Sequence, residues 1–422
     1  MKRQWFYIIF IIPLFTACLE SPEMTTGIVN GKEKPTVITQ PVNPIPNDGN
    51  LLFQGEIIEK GKSEIIERGF YWSPVSNDPG INDNVAIVPD VTTDVFTYEL
   101  KGVSGKKTFY WRAYARNSFG FDYGEVQSCQ TPEIWIEKDS LNAFSRGRGA
   151  VFVIGNIIYI TCGEGSGHVF ANETWSYNIA TNRWNQDAPF LGDFRRDPVV
   201  FTIENLAFVG TGSRTNAQAY NDFYQFDANS GKWTEIPTPD NFEARYEATA
   251  FSLNGKGYVV GGYLANRQNL NDVWQYTYSN TGGFWEQKGN FPADFSGGIS
   301  IRGNNRVFVG FGDNSESKRI LWEYDEKTDS WSEFTTLPDK VQTKIYSGVI
   351  IRNTIYIVDK ESQIWTLDLS DKTWDKKTDL PHALFYGDGG YQTLLTTGNS
   401  NSIYVGLGYN KYLYEYRPLW DN

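Results

Sequence analysis

The sequence is poor in the residues that build metal centres and general bases. It has two histidines, His168 and His382, and three cysteines in 422 residues. The chain contains no histidine cluster with metal-ligand spacing, no glycine-rich phosphate loop and no nucleophile elbow. We therefore expect no metal and no cofactor.

Positive charge is also scarce. Lys and Arg number 38 against 50 Asp and Glu, which gives a formal net charge of −12. Binding to nucleic acid needs a basic surface that neutralises phosphates. The composition therefore argues against a nucleic-acid partner.

Long apolar runs are missing. The most apolar stretch, Trp5 to Leu14, is too short to span a bilayer, and Lys2 and Arg3 precede it. A short apolar run behind a basic start is typical of an export signal. We predict that residues 1–17 are a signal peptide.

The signal ends in Phe15-Thr16-Ala17-Cys18, which resembles a bacterial lipobox with Phe where Leu is usual. The resemblance implies cleavage before Cys18 and lipid attachment to it. Leu19 resembles the residue that follows the cysteine in lipoproteins sent to the outer membrane, and acidic Glu20 and Glu23 suggest the cell surface. An ordinary secretory signal with a chance cysteine is the alternative. Residues 18–34 are polar and predict a tether.

The other two cysteines, Cys129 and Cys162, fall in different predicted domains. A disulfide between them is possible, but we expect two buried thiols.

No segment has helical periodicity. Aromatic residues make up 16% of the chain and there are 40 glycines, which indicates an all-β protein. Residues 35–132 contain short alternating runs separated by turn residues, which suits a seven-strand immunoglobulin-like sandwich. The stretch from Leu100 to Gly120 resembles the late strands of fibronectin type III domains. The segment Glu67 to Ser73 resembles variants of that fold common in surface lipoproteins of Bacteroidota.

From residue 133 onward a repeat takes over, and its clearest copy runs from Tyr246 to Pro292. Each copy has strand runs, a glycine-bearing turn, a strand aromatic and a tryptophan that opens the fourth strand. The tryptophans are separated by 49, 49, 52, 46 and 43 residues, close to the period of four-stranded propeller blades. They are Trp135, Trp184, Trp233, Trp285, Trp331 and Trp374. We interpret the strand aromatics as packing residues between blades.

The glycine doublet Gly261-Gly262, the polar pair Asn271-Asp272 and the anchor Trp285 resemble kelch repeats. Residues 133–422 are thus predicted to form a six-bladed kelch-like β-propeller. The doublet decays in the other copies. The copper site of galactose oxidase, a kelch enzyme, uses two histidines, two tyrosines and a cysteine, and neither His168 nor His382 has such a setting.

Trp135 stands before the first complete blade. We therefore predict that residues 133–141 supply the fourth strand of the last blade and close the ring. The alternative is that Trp420 begins an outer strand of its own.

Three arginines stand nine residues before the first turn of blades one to three, namely Arg146, Arg195 and Arg245. We predict that they form a positive rim at the mouth of the axial channel and bind a carboxylate, sulfate or polar sugar. The alternative is that they pair with Asp197, Glu247 and Glu164 and tie adjacent blades together.

Two functions stay open. The favoured one is a non-catalytic binding protein anchored to the envelope by lipid on Cys18, whose propeller binds a glycan or protein. The other is an enzyme acting on a sugar, such as a mutarotase, lyase or hydrolase, with acids and arginines of the same face as catalysts. Paired carboxylates cannot be found from sequence spacing alone.

Overall fold

The structure is a computed structural model that describes residues 32–41, 49–215, 218–279, 282–314, 317–381, 393–396 and 401–421. It is built of β-strands, as the sequence predicted, with short 3₁₀ turns at Ser166–His168 and Pro418–Trp420. Over these residues no helix has the length and apolarity to cross a membrane. The predicted signal peptide, Cys18, most of the tether and His382 lie outside the described residues.

The first part of the chain forms two sheets over one core. One sheet has the order β1-β2-β5, and the other has the order β4-β3-β6-β7, with β8 also paired to β6. Trp111, Phe53 and Phe70 are fully buried between them. The strands are β1 (Thr36–Gln40), β2 (Leu51–Glu59), β3 (Ile65–Ser73), β4 (Asn84–Ile87), β5 (Val95–Leu100), β6 (Thr108–Asn117), β7 (Gly120–Tyr123) and β8 (Gln127–Gln130).

The described residues from Trp135 onward form six four-stranded antiparallel sheets, the blades of a propeller. In blades one to five the strands run outward in chain order. Blade one has β10 (Ala150–Ile154), β11 (Ile157–Thr161), β12 (Thr174–Asn178) and β13 (Arg183–Asp187). Blade two has β14 (Val199–Ile203), β15 (Leu206–Gly210), β18 (Phe223–Asp227) and β19 (Lys232–Ile236), with β16 (Ser213–Thr215) and β17 (Gln218–Ala219) pairing in its loop. Blade three has β20 (Thr249–Leu253), β21 (Lys256–Tyr263), β22 (Asn269–Thr277) and β23 (Phe284–Gln287). Blade four has β24 (Ile299–Gly303), β25 (Arg306–Gly310), β26 (Ile320–Asp325) and β27 (Ser330–Thr336). Blade five has β28 (Ile345–Ile351), β29 (Thr354–Asp359), β30 (Ile364–Asp368) and β31 (Trp374–Lys376).

The sixth blade combines both ends of the propeller sequence. Its strands are β32 (Thr393–Leu395), β33 (Ile403–Gly406), β34 (Leu413–Tyr416) and β9 (Trp135–Glu137). Trp135 pairs with Tyr416, and their rings stack at 4.4 Å. The predicted closure by the segment after residue 133 is therefore confirmed. The alternative is wrong, because Trp420 is fully buried in the core of the first two sheets.

One cross-strand pair recurs around the ring. Each anchor tryptophan lies opposite the residue two positions beyond the strand aromatic, on the neighbouring third strand. In blade three, for example, the Tyr276 and Trp285 rings lie 4.9 Å apart. These third-strand residues are buried, which confirms that they pack the blades. They are Tyr177, Phe226, Tyr276, Tyr324 and Leu367.

The decayed glycine doublets keep the backbone of the intact one. Gly261 has φ 59°, and the first doublet position in blades one, two, four and six has φ between 57° and 61° with a side chain present. That conformation costs a residue with a Cβ roughly 1–2 kcal/mol. The occupants are buried, so packing offsets the strain. They are Cys162, Thr211, Phe311 and Leu407.

Cys129 and Cys162 are both buried and unpaired, as expected. Burial raises the pKa of the Cys162 thiol to about 11. The thiol therefore stays protonated at neutral pH and packs as a small apolar side chain.

Candidate functional site

The three predicted arginines are buried. Arg195 donates two hydrogen bonds to the carboxylate of Asp222, at 2.5 and 2.8 Å, and one to the Thr211 carbonyl at 3.0 Å. Its side chain has no exposed surface. A planar guanidinium that binds both oxygens of one carboxylate is a strong and directional pair.

The other two blades repeat this arrangement. Arg245 binds Asp272 through two bonds of 2.6 and 2.8 Å, and Arg146 binds Glu173 at 2.7 Å. In every case the acid follows the arginine by 27 residues and is the second residue of the Asn-Asp or Asn-Glu pair. The ion pairs therefore hold the entry loop of a blade to the third strand of the same blade.

This geometry corrects the expected exposed rim. The guanidinium groups of Arg146, Arg195 and Arg245 have no exposed surface and already have carboxylate partners. A role for them in ligand binding stays a prediction, and their burial argues against it. The alternative was right that they are structural but wrong about the partners. The sequence signal that was missed is the constant spacing of 27 residues.

The acids named in that alternative are held by two other arginines. Arg148 of blade one donates to Asp197 of blade two at 2.7 Å and to Glu247 of blade three at 2.8 Å. It thus spans the mouth of the axial channel. Lys344 of blade five binds Asp313 at 2.8 Å on the same face.

A second ionic group lies beside the first. Arg196 donates to the buried Glu164 at 2.7 Å, and the exposed His168 ring is hydrogen-bonded to the other oxygen of Glu164. Neither arginine stood out in the sequence, because Arg148 and Arg196 do not recur at equivalent positions in the other blades.

Burial and charge shift the pKa values of these acids. Burial raises the pKa of Asp197 despite the bonds from Arg148, and burial together with the Asp197 charge raises the pKa of Glu247. Two carboxylates that share one cation disfavour each other's ionised form. Burial alone would raise the pKa of Glu164, but the bonds from Arg196 and His168 outweigh burial and lower it.

A depression of about 530 Å³ opens over this mouth. Tyr246 and Tyr263 form one wall, with ring centroids 5.5 Å apart. Arg267 is exposed at the rim and makes no side-chain hydrogen bond or ion pair with any described residue. The remaining lining residues are Arg148, Arg196, Glu247 and Asn269. The surface is shallow, cationic and aromatic, and its carboxylate is bound by Arg148. No group of three or more potential metal ligands occurs within the described ranges.

Comparison with known proteins identifies the repeat. Residues 147–359, about half of the chain, match the profile of the KLHDC2/KLHL20/DRC7 Kelch-repeats domain. The chain belongs to the kelch-repeat family. Kelch propellers commonly mediate binding, typically of protein partners. The matched residues include all those that line the depression over the channel mouth.

Individual relatives are distant. Kelch-like protein 23 of Homo sapiens is 25% identical over 227 residues, which cover 53% of this chain and 38% of that protein. Kelch-like protein 25 of Xenopus tropicalis is 22% identical over 247 residues, which cover 55% of this chain and 40% of that protein. The kelch propeller thus spans about two fifths of the length of the curated relatives it matches.

Among solved structures, the structure of YjhT matches with a TM-score of 0.51. The match covers 64% of this chain and 91% of that chain at 15% identity. At that identity the likeness shows the propeller fold alone.

Proposed function

We propose that this protein is a non-catalytic binding protein of the cell envelope, whose kelch propeller binds a protein or glycan at the depression over the channel mouth. The observation that carries the proposal is the chemistry of that depression. Arginine and tyrosine dominate the energetics of protein interfaces, because they combine large contact area with directional hydrogen bonds. The exposed Arg267 and the half-buried Tyr263, whose ring packs on the buried Tyr246, offer this combination on one wall.

The charge of the wall selects the ligand. Arg148 and Arg196 are partly neutralised by Glu247, Asp197 and Glu164, whereas Arg267 has no acidic partner among the described residues. A ligand group with negative charge would complete the coordination of Arg267. We therefore propose an acidic segment of a protein, or an acidic glycan, as the ligand.

The rest of the chain supports a location in the envelope. We propose that Cys18 carries the lipid and that the first two sheets hold the propeller away from the outer membrane at the cell surface. The order β1-β2-β5 facing β4-β3-β6-β7 supports the proposed fibronectin type III-like spacer.

One observation favours a second candidate, an enzyme acting on a sugar. Asp197 and Glu247 both have raised pKa values and share Arg148 at the channel mouth. A carboxyl group with a raised pKa is suited to general acid catalysis. Against this candidate, Arg148 lies between the two carboxylates, where a substrate would have to enter.

The binding proposal is tested with the chain from residue 19 onward, which lacks the lipidation site. The wild type and an Arg267→Ala, Tyr263→Ala variant are compared on an array of acidic and neutral glycans and on peptides rich in Asp and Glu. We expect the variant to bind an acidic probe at least tenfold more weakly, since a charge-assisted hydrogen bond contributes about 1.5–3 kcal/mol. Arg183→Ala, an exposed arginine on β13, is the matched control and should bind like the wild type.

Two results would count against the proposal. Equal binding by the wild type and the double variant would show that the depression is not the binding site. Turnover of a neutral sugar that is lost in Glu247→Gln but kept in the double variant would favour the enzyme.

Anchoring is tested separately. Cys18→Ala should abolish incorporation of a labelled fatty acid and release the protein from membranes, while leaving its melting temperature unchanged. Labelled fatty acid in the Cys18→Ala variant would show that the anchor was misassigned.

A further inference from the structure

The axial channel contains a second cavity, at the end opposite the depression. Its volume is about 810 Å³, within the range of small-molecule sites. The inner strands of all six blades line it, near the turns that join the first and second strands. Because Arg148 spans the other mouth, this cavity opens away from the ligand site proposed above.

Among the described residues that line the cavity, one is a cation. In each of blades one to five, one residue of the innermost strand pairs with the second residue of the next strand. These five residues therefore occupy equivalent positions in their blades. In blade four that residue is Arg302, which lines the cavity. The equivalent residues of the other blades are neutral. They are Val153, Thr202, Ser252 and Ile350.

Arg302 makes no side-chain hydrogen bond and no ion pair with any residue in the described ranges. The carboxylate on the same wall, Glu204, forms no ion pair with it. The side chain reaches solvent through the cavity, yet the surrounding strands desolvate it and lower the pKa of its guanidinium. The guanidinium donors are therefore open to a ligand that enters the cavity.

Polar groups for the rest of a ligand are close by. The inner strands are edge strands of their sheets, so part of their backbone N–H and C=O groups face the channel. Some of these groups are used between blades, as Ser252 donates to the Thr202 carbonyl at 2.6 Å and Ser300 donates to the Ala250 carbonyl at 2.6 Å. The hydroxyl of Thr202 forms no bond with another described residue and lines the cavity.

We propose that this cavity is a binding site for a small carboxylate of about monosaccharide size, held by Arg302. The guanidinium fork matches a carboxylate, and its five donors have no internal acceptor to compete with the ligand. Hydroxyls of the ligand bind the backbone groups and Thr202. The site is separate from the depression at the other mouth, so it does not rest on the function proposed for that face.

The test uses glucuronate as the probe and glucose as its neutral counterpart. Binding of each is measured by calorimetric titration and by the rise in melting temperature, with ligand up to about 50 mM. We expect the full chain to bind glucuronate but not glucose. Arg302→Gln should weaken glucuronate binding at least tenfold, and Arg302→Lys should fall between the two because it keeps the charge but loses the fork.

Arg352→Gln is the matched control. Arg352 is exposed in the turn that follows β28 of the adjacent blade and lies outside this cavity. The control should bind glucuronate like the wild type. Arg302→Gln should also melt no lower than the wild type without ligand, because no partner loses its bond.

Three outcomes would overturn the proposal. The first is a wild type that shows no saturable binding of glucuronate. The second is equal affinity in Arg302→Gln. The third is a lower melting temperature of Arg302→Gln without ligand, which would show that Arg302 is a structural residue.

Discussion

The arginines of this protein fall into two groups, those that recur at equivalent positions of several blades and those that do not. Arg146, Arg195 and Arg245 recur at equivalent positions and are all buried against an acid of their own blade. Interactions within a blade repeat with the blade. A ligand on the axis of a six-bladed ring contacts different blades through different residues, so its site need not repeat. Recurrence in a repeat protein therefore indicates packing, and the arginines that do not recur, such as Arg267 and Arg302, are the better functional candidates.

The Arg245 and Asp272 pair tests this distinction. Arg245→Met leaves Asp272 partly buried without its cation, and breaking such a pair costs about 3–5 kcal/mol in the free energy of unfolding. Adding Asp272→Leu to Arg245→Met should recover part of that loss, because the stranded charge is removed. Urea unfolding of the single and double variants measures both effects.

Arg267→Ala, in the same blade, is the control for this comparison. Its side chain is exposed, so its unfolding free energy should lie within about 0.5 kcal/mol of the wild type. If Arg245→Met were as stable as the wild type but failed to bind an acidic ligand, we would conclude that Arg245 is part of the ligand site.

At the scale of the element, closure depends on a three-residue strand. β9 pairs with β34, and Glu415 in β34 accepts hydrogen bonds from Lys138 at 2.9 Å, from Ser402 at 2.9 Å and from Arg417 at 3.1 Å. Burial alone would raise the pKa of Glu415, but these bonds outweigh it and lower the pKa. The carboxylate therefore fastens the strand that completes the ring.

Glu415→Gln should lower the free energy of unfolding at neutral pH by about 1.5–3 kcal/mol, the range for hydrogen bonds to charged groups. The folded pKa of Glu415 lies below its unfolded value. Its contribution is therefore complete above the unfolded pKa and is lost as the pH falls through the folded pKa. The stability difference between wild type and variant should shrink accordingly between pH 7 and pH 3.

Denaturant unfolding at several pH values measures that difference. Glu333→Gln, an exposed carboxylate on the outer strand β27 without an ion pair among the described residues, should show little difference at any pH. A difference for Glu415→Gln that stays constant with pH would mean that the charge of Glu415 does not hold the strand.

The sequence predicted this element better than it predicted the site. Tryptophan spacing reflects the length of a blade, and strand alternation reflects the two faces of a strand. Both patterns are short-range, so the sequence alone predicts the closure at Trp135. Contacts across the ring have no such signal. Nothing in the sequence says that Arg148 reaches Glu247, 99 residues away, or that Arg302 faces a cavity. The kelch polar pair is visible in the sequence. Nothing there shows that its acid binds a buried arginine, so the sequence predicted that arginine at the channel mouth.

At the scale of the whole molecule, the segment after β34 joins the two parts of the chain. After β34 the chain turns through Pro418–Trp420, and the fully buried Trp420 enters the core between the first two sheets. The Trp420 carbonyl accepts a hydrogen bond from the Gly105 N–H at 2.7 Å. Ile134, at the junction, packs against both this core and the core of blades five and six. The sandwich and the propeller are therefore expected to unfold together.

Trp420→Ala tests that coupling. Removing a buried tryptophan costs about 3–5 kcal/mol, here from the core of the first two sheets. We expect the wild type to unfold in a single calorimetric transition. Because the same residue fastens the end of β34 to that core, we expect Trp420→Ala to show an early sandwich transition and a later propeller transition instead. Phe284→Ala, an exposed aromatic on β23, should keep one transition at the wild-type temperature. Two separate transitions in the wild type, or an unchanged melting profile in Trp420→Ala, would show that the two parts fold independently and that the buried tryptophan does not couple them.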